Sequence, residues 1–70
     1  MKYYFINDNP TLNPGLHHEV HTEEHAHQLR MASKTYVGLC SNEIEAVNRA
    51  KSIYSNADGC AICCPNAHRG

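Results

Sequence analysis

The chain has 70 residues, of which six are Lys or Arg and seven are Asp or Glu, so its formal net charge is −1. At this length we expect a single small domain over residues 1–70, whose limited core would benefit from a cross-link. The balanced charge offers no electrostatic footprint for nucleic acid, so binding to duplex DNA is not expected. No apolar run approaches the roughly 20 residues of a membrane-spanning helix, and no membrane association is expected.

Two strands are predicted in the first third of the chain. Residues 2–7 (Lys-Tyr-Tyr-Phe-Ile-Asn) are aromatic and β-branched, and residues 8–15 contain the Pro, Asn and Gly of a loop. Residues 16–21 alternate loosely between two sides and indicate a second strand. Residues 22–33 show no regular period, although Thr22 with two Glu residues after it is suited to cap a short helical turn.

The strongest strand and the main helix are predicted in the second half. Residues 34–40 alternate between two faces, and Gly38 within them indicates a bulge or the close approach of another backbone. Asn42 opens a helix with Glu45 as its capping partner, and apolar residues recur on one face as far as Tyr54. We therefore expect an α+β fold with a small three-stranded antiparallel sheet, one helix between Asn42 and Tyr54, and a metal-tied C-terminal turn.

Four residues form a candidate metal site. Cys60 and Cys63 make a Cys-x2-Cys pair directly after Asp-Gly, where a tight turn points two thiolates at one ion. His21 and His25 are four residues apart, a spacing at which two imidazoles on one helical turn reach the same ion. Together they form a Cys2His2 set, typical of structural Zn²⁺. The 34 residues between the two pairs would then form a loop that the ion closes.

The spacing leaves two rival ligands open. Cys64 competes with Cys63 for the same sulfur position, and His68 competes for a place beside the cysteine pair. Cys40, at a strand end, is interpreted as a small buried hydrophobic residue. The histidines outside the proposed pair are expected at the surface, namely His17, His18, His27 and, where it is not a ligand, His68.

These motifs resemble the Ada-type metal-binding fold, which includes the N-terminal zinc domain of the Ada DNA-repair methyltransferase. The shared pattern is a strand, His-x3-His followed by Leu, Tyr-x4-Ser, a Glu-Ala helix and Gly-Cys-x2-Cys-x-Pro, within residues 16–65. The resemblance places His21 and His25 on the first ligand pair, with His25 where the family usually has Cys. It places Cys60 and Cys63 on the second pair. Residues that match the family's helix start are Ser41, Glu45 and Ala46.

The resemblance implies a zinc-binding domain, but two departures argue against methyl transfer. In the repair protein an all-thiolate site is strongly anionic, whereas Zn²⁺ with two thiolates and two neutral imidazoles is formally neutral, so its sulfurs should be less nucleophilic. The basic surface needed to hold DNA is also missing, because the six cationic residues are dispersed along the chain.

The chain also resembles small uncharacterised bacterial proteins with a His-Glu-Val-His segment and a Gly-Cys-x2-Cys-Cys-like end.

We therefore expect a non-enzymatic binding or interaction module, monomeric, with a structural Zn²⁺ and an unknown protein or small-molecule partner. Two alternatives stay open. One is metal handling, as a sensor or chaperone, and the other is thiol redox activity through Cys60 and Cys63. Candidate residues for an exposed recognition surface are Tyr3, Tyr4 and Tyr36.

A catalytic zinc site is disfavoured. Thr22 stands where the metalloprotease helix has its Glu, and 70 residues leave little room for a substrate pocket. Cys63 and Cys64 are adjacent, and the sequence starts with no recognisable signal peptide. Both features favour reduced thiols in the cytoplasm over a disulfide scaffold. If the metal were catalytic, the candidate bases would be Glu19, Glu23 and Glu24.

Overall fold

The computed structural model describes residues 1–12 and 16–68. The elements in chain order are β1 (Lys2–Asn7), β2 (Thr11–Leu12), β3 (Leu16–Thr22), α1 (Glu23–Gln28), β4 (Lys34–Cys40), α2 (Glu43–Ala50), β5 (Ala57–Gly59) and a 3-10 helix (Pro65–Ala67). The expected α+β class is confirmed. Within the predicted loop at 8–15, two residues form β2, and residues 13–15 lie outside the described part of the chain. Neither helix in the described ranges has the length and apolar character needed to cross a membrane.

The strands form one mixed sheet around β1. β1 pairs antiparallel with β3 on one side and with β4 on the other, as the prediction requires. The predicted sheet of three antiparallel strands is nevertheless wrong, because β5 adds a fourth strand parallel to β3, and the two-residue β2 also pairs with β3. Sequence patterns do not reveal β5, since its residues, Ala-Asp-Gly, have low strand propensity and depend on the pairing with β3.

A second helix, α1, follows β3, so the expectation of a single helix is also wrong. Thr22 is the N-cap of α1: its Oγ1 accepts a hydrogen bond from the His25 backbone N–H at 3.2 Å. Glu23 and Glu24 occupy the first turn, where carboxylates favour the helix N-terminus. The short helical turn suggested by the Thr-Glu-Glu sequence is therefore confirmed. Six residues are too few to show a periodic apolar stripe, and α1 buries Ala26 against the rest of the fold.

The main helix, α2, begins where the sequence predicts and ends earlier. Asn42 Oδ1 accepts a hydrogen bond from the Glu45 N–H at 2.9 Å, and Glu45 Oε1 accepts one from the Ser41 N–H at 2.7 Å. These two bonds satisfy N–H groups at the helix start. The predicted end at Tyr54 is wrong: the helix stops at Ala50, because the chain then tightens into turns and the Tyr54 ring makes long-range contacts instead. The buried residues of α2 are Ala46, Val47 and Ala50.

The core lies between α2 and the sheet and consists mainly of small and β-branched side chains. Its members are Tyr4, Ile6, Val20, Val37, Cys40, Ala46, Val47, Ala50, Ala57 and Cys64. Gly38 in β4 has a φ of +132°, a backbone conformation that other residues rarely adopt, and an added Cβ would lie 2.6 Å from Nη1 at the end of the Arg49 side chain. The register between β1 and β4 shifts opposite this point, between Tyr4 and Phe5, as the predicted bulge requires.

Three rings on β1 and β4 form an exposed aromatic cluster. The Phe5 and Tyr36 ring centroids are 5.4 Å apart, and those of Tyr3 and Tyr36 are 6.3 Å apart. Tyr3 is 47 % exposed and Tyr36 is 54 % exposed. Tyr4 faces the opposite side of the strand and is only 4 % exposed, so the expectation that it belongs to a recognition surface is wrong.

Asp8 joins segments that are distant in sequence. Its carboxylate accepts hydrogen bonds from Thr35 Oγ1 at 2.6 Å, Ser33 Oγ at 2.9 Å and Tyr54 Oη at 3.0 Å. The hydrogen bond from Thr35, followed by those from Ser33 and Tyr54, lowers the pKa of Asp8 below its ordinary value. The Tyr54 ring also stacks on His18 with 3.7 Å between centroids, so these contacts hold the chain after α2 against the sheet.

Asp8→Asn should lower the free energy of unfolding at neutral pH by about 1–2 kcal/mol, because it removes the charged acceptor of three hydrogen bonds at a partly exposed site. The Asp8 pKa is lower in the folded chain than in the unfolded chain. Its contribution is therefore present above about pH 4 and is lost as the pH falls through the folded-state value. Urea unfolding of both proteins at neutral pH and at about pH 3 should show the difference between them shrinking.

The control for this prediction is Glu24→Gln, which removes an exposed carboxylate from α1. It should change the free energy of unfolding by less than about 0.5 kcal/mol. An Asp8→Asn difference that stays undiminished at low pH would contradict the role given to the Asp8 charge.

Candidate metal centre

His21 and His25 meet at the junction between β3 and α1. His21 lies near the end of β3 and is 2 % exposed, and His25 lies in the first turn of α1. The N-cap at Thr22 turns the chain between them and brings the two ring centroids to 5.3 Å, with the ring planes at 63°. The pair converges as its spacing predicts, although it does so across a strand–helix junction and not within one helical turn.

Cys60 and Cys63 lie in the turn that follows β5. The Cys60 N–H donates to Val20 O at 3.0 Å, which continues the pairing of β5 with β3, and the Cys64 N–H donates to Cys60 O at 2.8 Å. Gly59 stands at the start of this turn, where an added Cβ would lie 2.8 Å from Cys64 O and 2.9 Å from a backbone carbon of the 3-10 helix. The chain folds back so tightly here that a side chain at position 59 would displace the turn.

The ligand atoms of His21, His25, Cys60 and Cys63 all lie within 4.8 Å of one another. His25 Nδ1 is 3.7 Å from Cys60 Sγ, and His21 Nδ1 is 3.7 Å from Cys63 Sγ. In a tetrahedral site with Zn–S and Zn–N bonds of about 2.3 and 2.0 Å, the distance between a nitrogen and a sulfur ligand is about 3.5 Å. The structure therefore brings the four sequence-predicted residues into a group that could hold a metal ion.

The two thiols of this group differ in acidity. The pKa of Cys63 lies far below that of an ordinary thiol, because the Cys64 thiol donates a hydrogen bond to its sulfur, with further support from His21 and the Thr22 N–H. Burial raises the pKa of Cys60, although backbone N–H groups of its own turn oppose that effect. Metal binding requires both sulfurs as thiolates, and a cation between them would supply the stabilisation that the buried Cys60 thiolate needs.

Glu19 lies behind the His21 ring. Its Oε1 is 3.6 Å from His21 Nε2, whereas the other ring nitrogen, Nδ1, faces Cys63. A carboxylate near the second nitrogen is the usual partner of a metal-binding histidine, because it favours the tautomer that leaves the ligating nitrogen unprotonated. Sequence reasoning considered Glu19 only as a catalytic base. Residues 19 and 21 lie on the same face of β3, because side chains alternate along a strand. This alternation is the sequence feature that predicts Glu19 beside His21.

The rival ligands lie outside the group of four. The Cys64 side chain is fully buried in the core, with its sulfur 3.8 Å from that of Cys63. His68 Nδ1 lies 2.9 Å from Gly59 O, so its ring contacts the backbone of β5. In the described part of the chain, the turn therefore directs Cys63, and not Cys64, toward the histidines.

Two further predictions concern residues away from this group. Cys40 is fully buried in the core, which confirms its interpretation as a small hydrophobic residue. The expected surface position of His18 is wrong, because its ring is half-buried, with Nδ1 2.9 Å from Asn7 O and one face stacked on Tyr54.

Comparison with known proteins gives no family: no family model, no curated protein and no solved structure matches the chain. The likeness to the Ada-type fold therefore depends on the residues of this sequence that carry it. The geometry supports a coarser statement, that a His2Cys2 group lies within metal-binding distance, which is compatible with a small zinc domain.

Substitution of single residues should show whether Cys63 or Cys64 binds the ion together with Cys60. Cys60→Ser and Cys63→Ser should abolish Zn²⁺ binding, and His21→Ala or His25→Ala should weaken it strongly, because each removes one of four ligands. Competition with a chromophoric chelator measures the affinity.

The matched controls are Cys64→Ser and Cys40→Ser, which should keep one ion per chain in native mass spectrometry because both side chains lie outside the group of four. Loss of the ion in Cys64→Ser and its retention in Cys63→Ser would show that the assignment is wrong by one residue.

Proposed function

We propose that the 70-residue chain is a small single-domain zinc-binding module in which one structural Zn²⁺ is held by His21, His25, Cys60 and Cys63. The observation that carries this proposal is the convergence of four ligand atoms from two separate segments within 4.8 Å. One pair comes from the β3–α1 junction and the other from the turn after β5. An ion between them would join the early part of the chain to its C-terminal loop.

The donor set favours Zn²⁺ among the common metal ions. Mg²⁺ and Ca²⁺ prefer oxygen ligands, whereas two thiolates and two imidazoles suit a borderline-soft ion with tetrahedral geometry. Two thiolates balance the charge of Zn²⁺, so the filled site would be neutral, which suits the low exposure of His21 and Cys60. Four protein ligands leave no open position, and that is the pattern of structural rather than catalytic zinc.

The proposal extends to a non-enzymatic binding or interaction role. The aromatic cluster of Tyr3, Phe5 and Tyr36 supports it, because exposed Tyr and Phe side chains are enriched at interaction surfaces. We propose a monomer with an unknown protein or small-molecule partner and reduced thiols, as in the cytoplasm. The Ada-type likeness enters here for the fold and the metal alone, since a neutral site lacks the anionic character that makes a thiolate attack a methyl group.

Metal handling is the second candidate function, and one observation favours it. Cys63 and His25 are half-buried, whereas the other two residues of the group are fully buried, so an acceptor could approach the ion from one side. Thiol redox activity is less well supported. The Cys-x2-Cys turn leads into a three-residue 3-10 helix, and an α-helix N-terminus of the kind that activates the thioredoxin-type thiol is not found there. Slow release of the ion to a chelator would favour the structural role over metal handling.

Freshly purified protein should carry one Zn²⁺ per chain and should lose its tertiary structure when the ion is removed. The reason is that the core is small, so that the free energy of metal binding becomes free energy of folding. Native mass spectrometry before and after treatment with a chelator measures the stoichiometry, and amide chemical-shift dispersion measures the structure. A metal-free chain with unchanged, well-dispersed amide signals would contradict the structural role.

Duplex DNA should bind weakly, and methyl groups on DNA should not be transferred to the chain. The net charge is −1, and sequence-independent DNA affinity comes mainly from phosphate neutralisation. A fluorescence anisotropy titration at low salt checks the binding, and mass spectrometry checks the methylation. Submicromolar, salt-sensitive binding, or stoichiometric methylation of Cys60 or Cys63 by methylated DNA, would contradict the proposal.

A further inference from the structure

A cleft of about 240 Å³ borders the group of four ligands. Its lining includes two of the ligands, His25 and Cys63, together with Lys2, Gln28 and Ile62. The cleft is therefore a route by which small solutes reach one side of the metal centre. The other side is closed, because His21 is 2 % exposed and Cys60 is 5 % exposed.

The four thiols of the chain, all of which the structure describes, differ in their access to solvent. Cys40 and Cys64 are 0 % exposed and Cys60 is 5 % exposed, whereas Cys63 is half-buried and lines the cleft. Cys63 is therefore the thiol that a small reagent meets first. As a metal ligand it would also be present as a thiolate, the form of sulfur that oxidants attack.

We propose that Cys63 is an oxidative modification site at which hydroperoxides enter through the cleft, and that its oxidation produces a Cys60–Cys63 disulfide and releases the ion. The inference rests on the proposed zinc function, because it assigns a regulation to that same site. The two sulfur atoms already lie within 4.8 Å of each other, so a short movement joins them once the ion is gone. The Cys64 sulfur is 3.8 Å from that of Cys63, but Cys64 is the less suitable partner, since a bond between adjacent residues would distort the peptide between them and move a side chain out of the core.

The reaction balances with hydrogen peroxide as the oxidant. The Cys63 thiolate attacks one peroxide oxygen, the O–O bond breaks, and the products are a Cys63 sulfenic acid and hydroxide. The Cys60 thiolate then attacks the Cys63 sulfur, so that an S–S bond forms and a second hydroxide leaves. Two thiolates lose two electrons in total, the peroxide gains them, and two protons from solvent convert the hydroxides to water. Zn²⁺, left with two imidazoles, dissociates without a change in its oxidation state.

Loss of the ion would release the C-terminal loop from the β3–α1 junction, as the first step in the loss of tertiary structure that removal of the ion should cause. The loop is also held by the Cys60 N–H bond to Val20 O, by the Asn66 N–H bond to Glu43 Oε2 at 2.7 Å and by the Cys64 side chain, which is buried in the core. Because the ion would no longer join this loop to the β3–α1 junction, we expect the oxidised chain to expose its C-terminal segment to proteases. Reduction of the disulfide by a dithiol should restore metal binding, because a disulfide is reversible by thiol exchange.

The test uses the zinc-loaded, full-length chain treated with hydrogen peroxide. A chromophoric chelator of low affinity reports zinc release, and peptide mapping after alkylation reports which sulfurs are joined. We expect release of one ion per disulfide, a linkage between Cys60 and Cys63, and recovery of binding after dithiothreitol. Zinc that stays bound while the thiols are unmodified, or a linkage of Cys63 to Cys64, would overturn the inference.

Two variants test the route through the cleft. Ile62→Trp places a larger side chain on the cleft wall and should slow peroxide-induced release by about threefold or more, because thiol oxidation follows exposure. Ile53→Trp is the matched control, since Ile53 is exposed after α2 and does not line this cleft; it should leave the rate unchanged. Equal rates in the two variants would contradict entry through the cleft.

The same experiment distinguishes failure of this inference from failure of the proposed function. A chain that carries no ion before treatment contradicts the zinc function, and peptide mapping then still decides whether Cys63 is the thiol oxidised first. A Cys40→Ser variant removes the buried thiol that lies away from the site and should release zinc at the unsubstituted rate. If that variant does not fold, mapping of the unsubstituted chain gives the same answer, since it identifies the linked residues directly.

Discussion

The arrangement of the site depends on the parallel pairing of β5 with β3. β5 has three residues, yet the Cys60 N–H extends the pairing by donating to Val20 O, next to the residue that carries the first imidazole. Without this register the cysteine turn would have no fixed position relative to His21. The core that supports it consists largely of Val, Ala and Cys side chains and offers limited apolar area. A cross-link between the C-terminal loop and the β3–α1 junction therefore adds support to a small core by closing a long loop of the chain.

Local sequence patterns predicted the elements whose stabilising contacts are local. β4 was predicted from the alternation of residues 34–40, and β1 from the aromatic content of residues 2–7. The start of α2 was predicted from its cap, Asn42. The end of α2 was not predictable, because the Tyr54 hydroxyl donates a hydrogen bond to Asp8, which is 46 positions away in the sequence. β5 was not predictable either, since a three-residue strand of Ala, Asp and Gly exists only through its neighbour.

The candidate site was predicted more completely than the fold around it. The spacings of the two ligand pairs identified the four residues that the structure brings together, because the geometry of a short turn is a local property. The sequence analysis chose Cys63 and left Cys64 open as a rival, since adjacent residues satisfy almost the same spacing. In the structure Cys64 is buried in the core, whereas the Cys63 sulfur lies 3.7 Å from His21 Nδ1. The position of Glu19 beside His21 was missed although the alternation of residues 16–21 puts both on one side, because Glu19 was considered only as a catalytic base.

The stack of Tyr54 on His18 gives the chain a natural optical reporter. The chain has no Trp, so its near-ultraviolet signal comes mainly from its tyrosines. The Tyr54 ring is held 3.7 Å from a nearly parallel imidazole, with 6° between the planes, and its hydroxyl donates to Asp8. A ring fixed in this way contributes to near-ultraviolet circular dichroism, and a Tyr54→Phe difference spectrum isolates that contribution. Because its partners are not ligands of the candidate site, this signal reports how the segment after α2 packs on the sheet, and its loss on removal of the ion would record the loss of tertiary structure at a distance from the site.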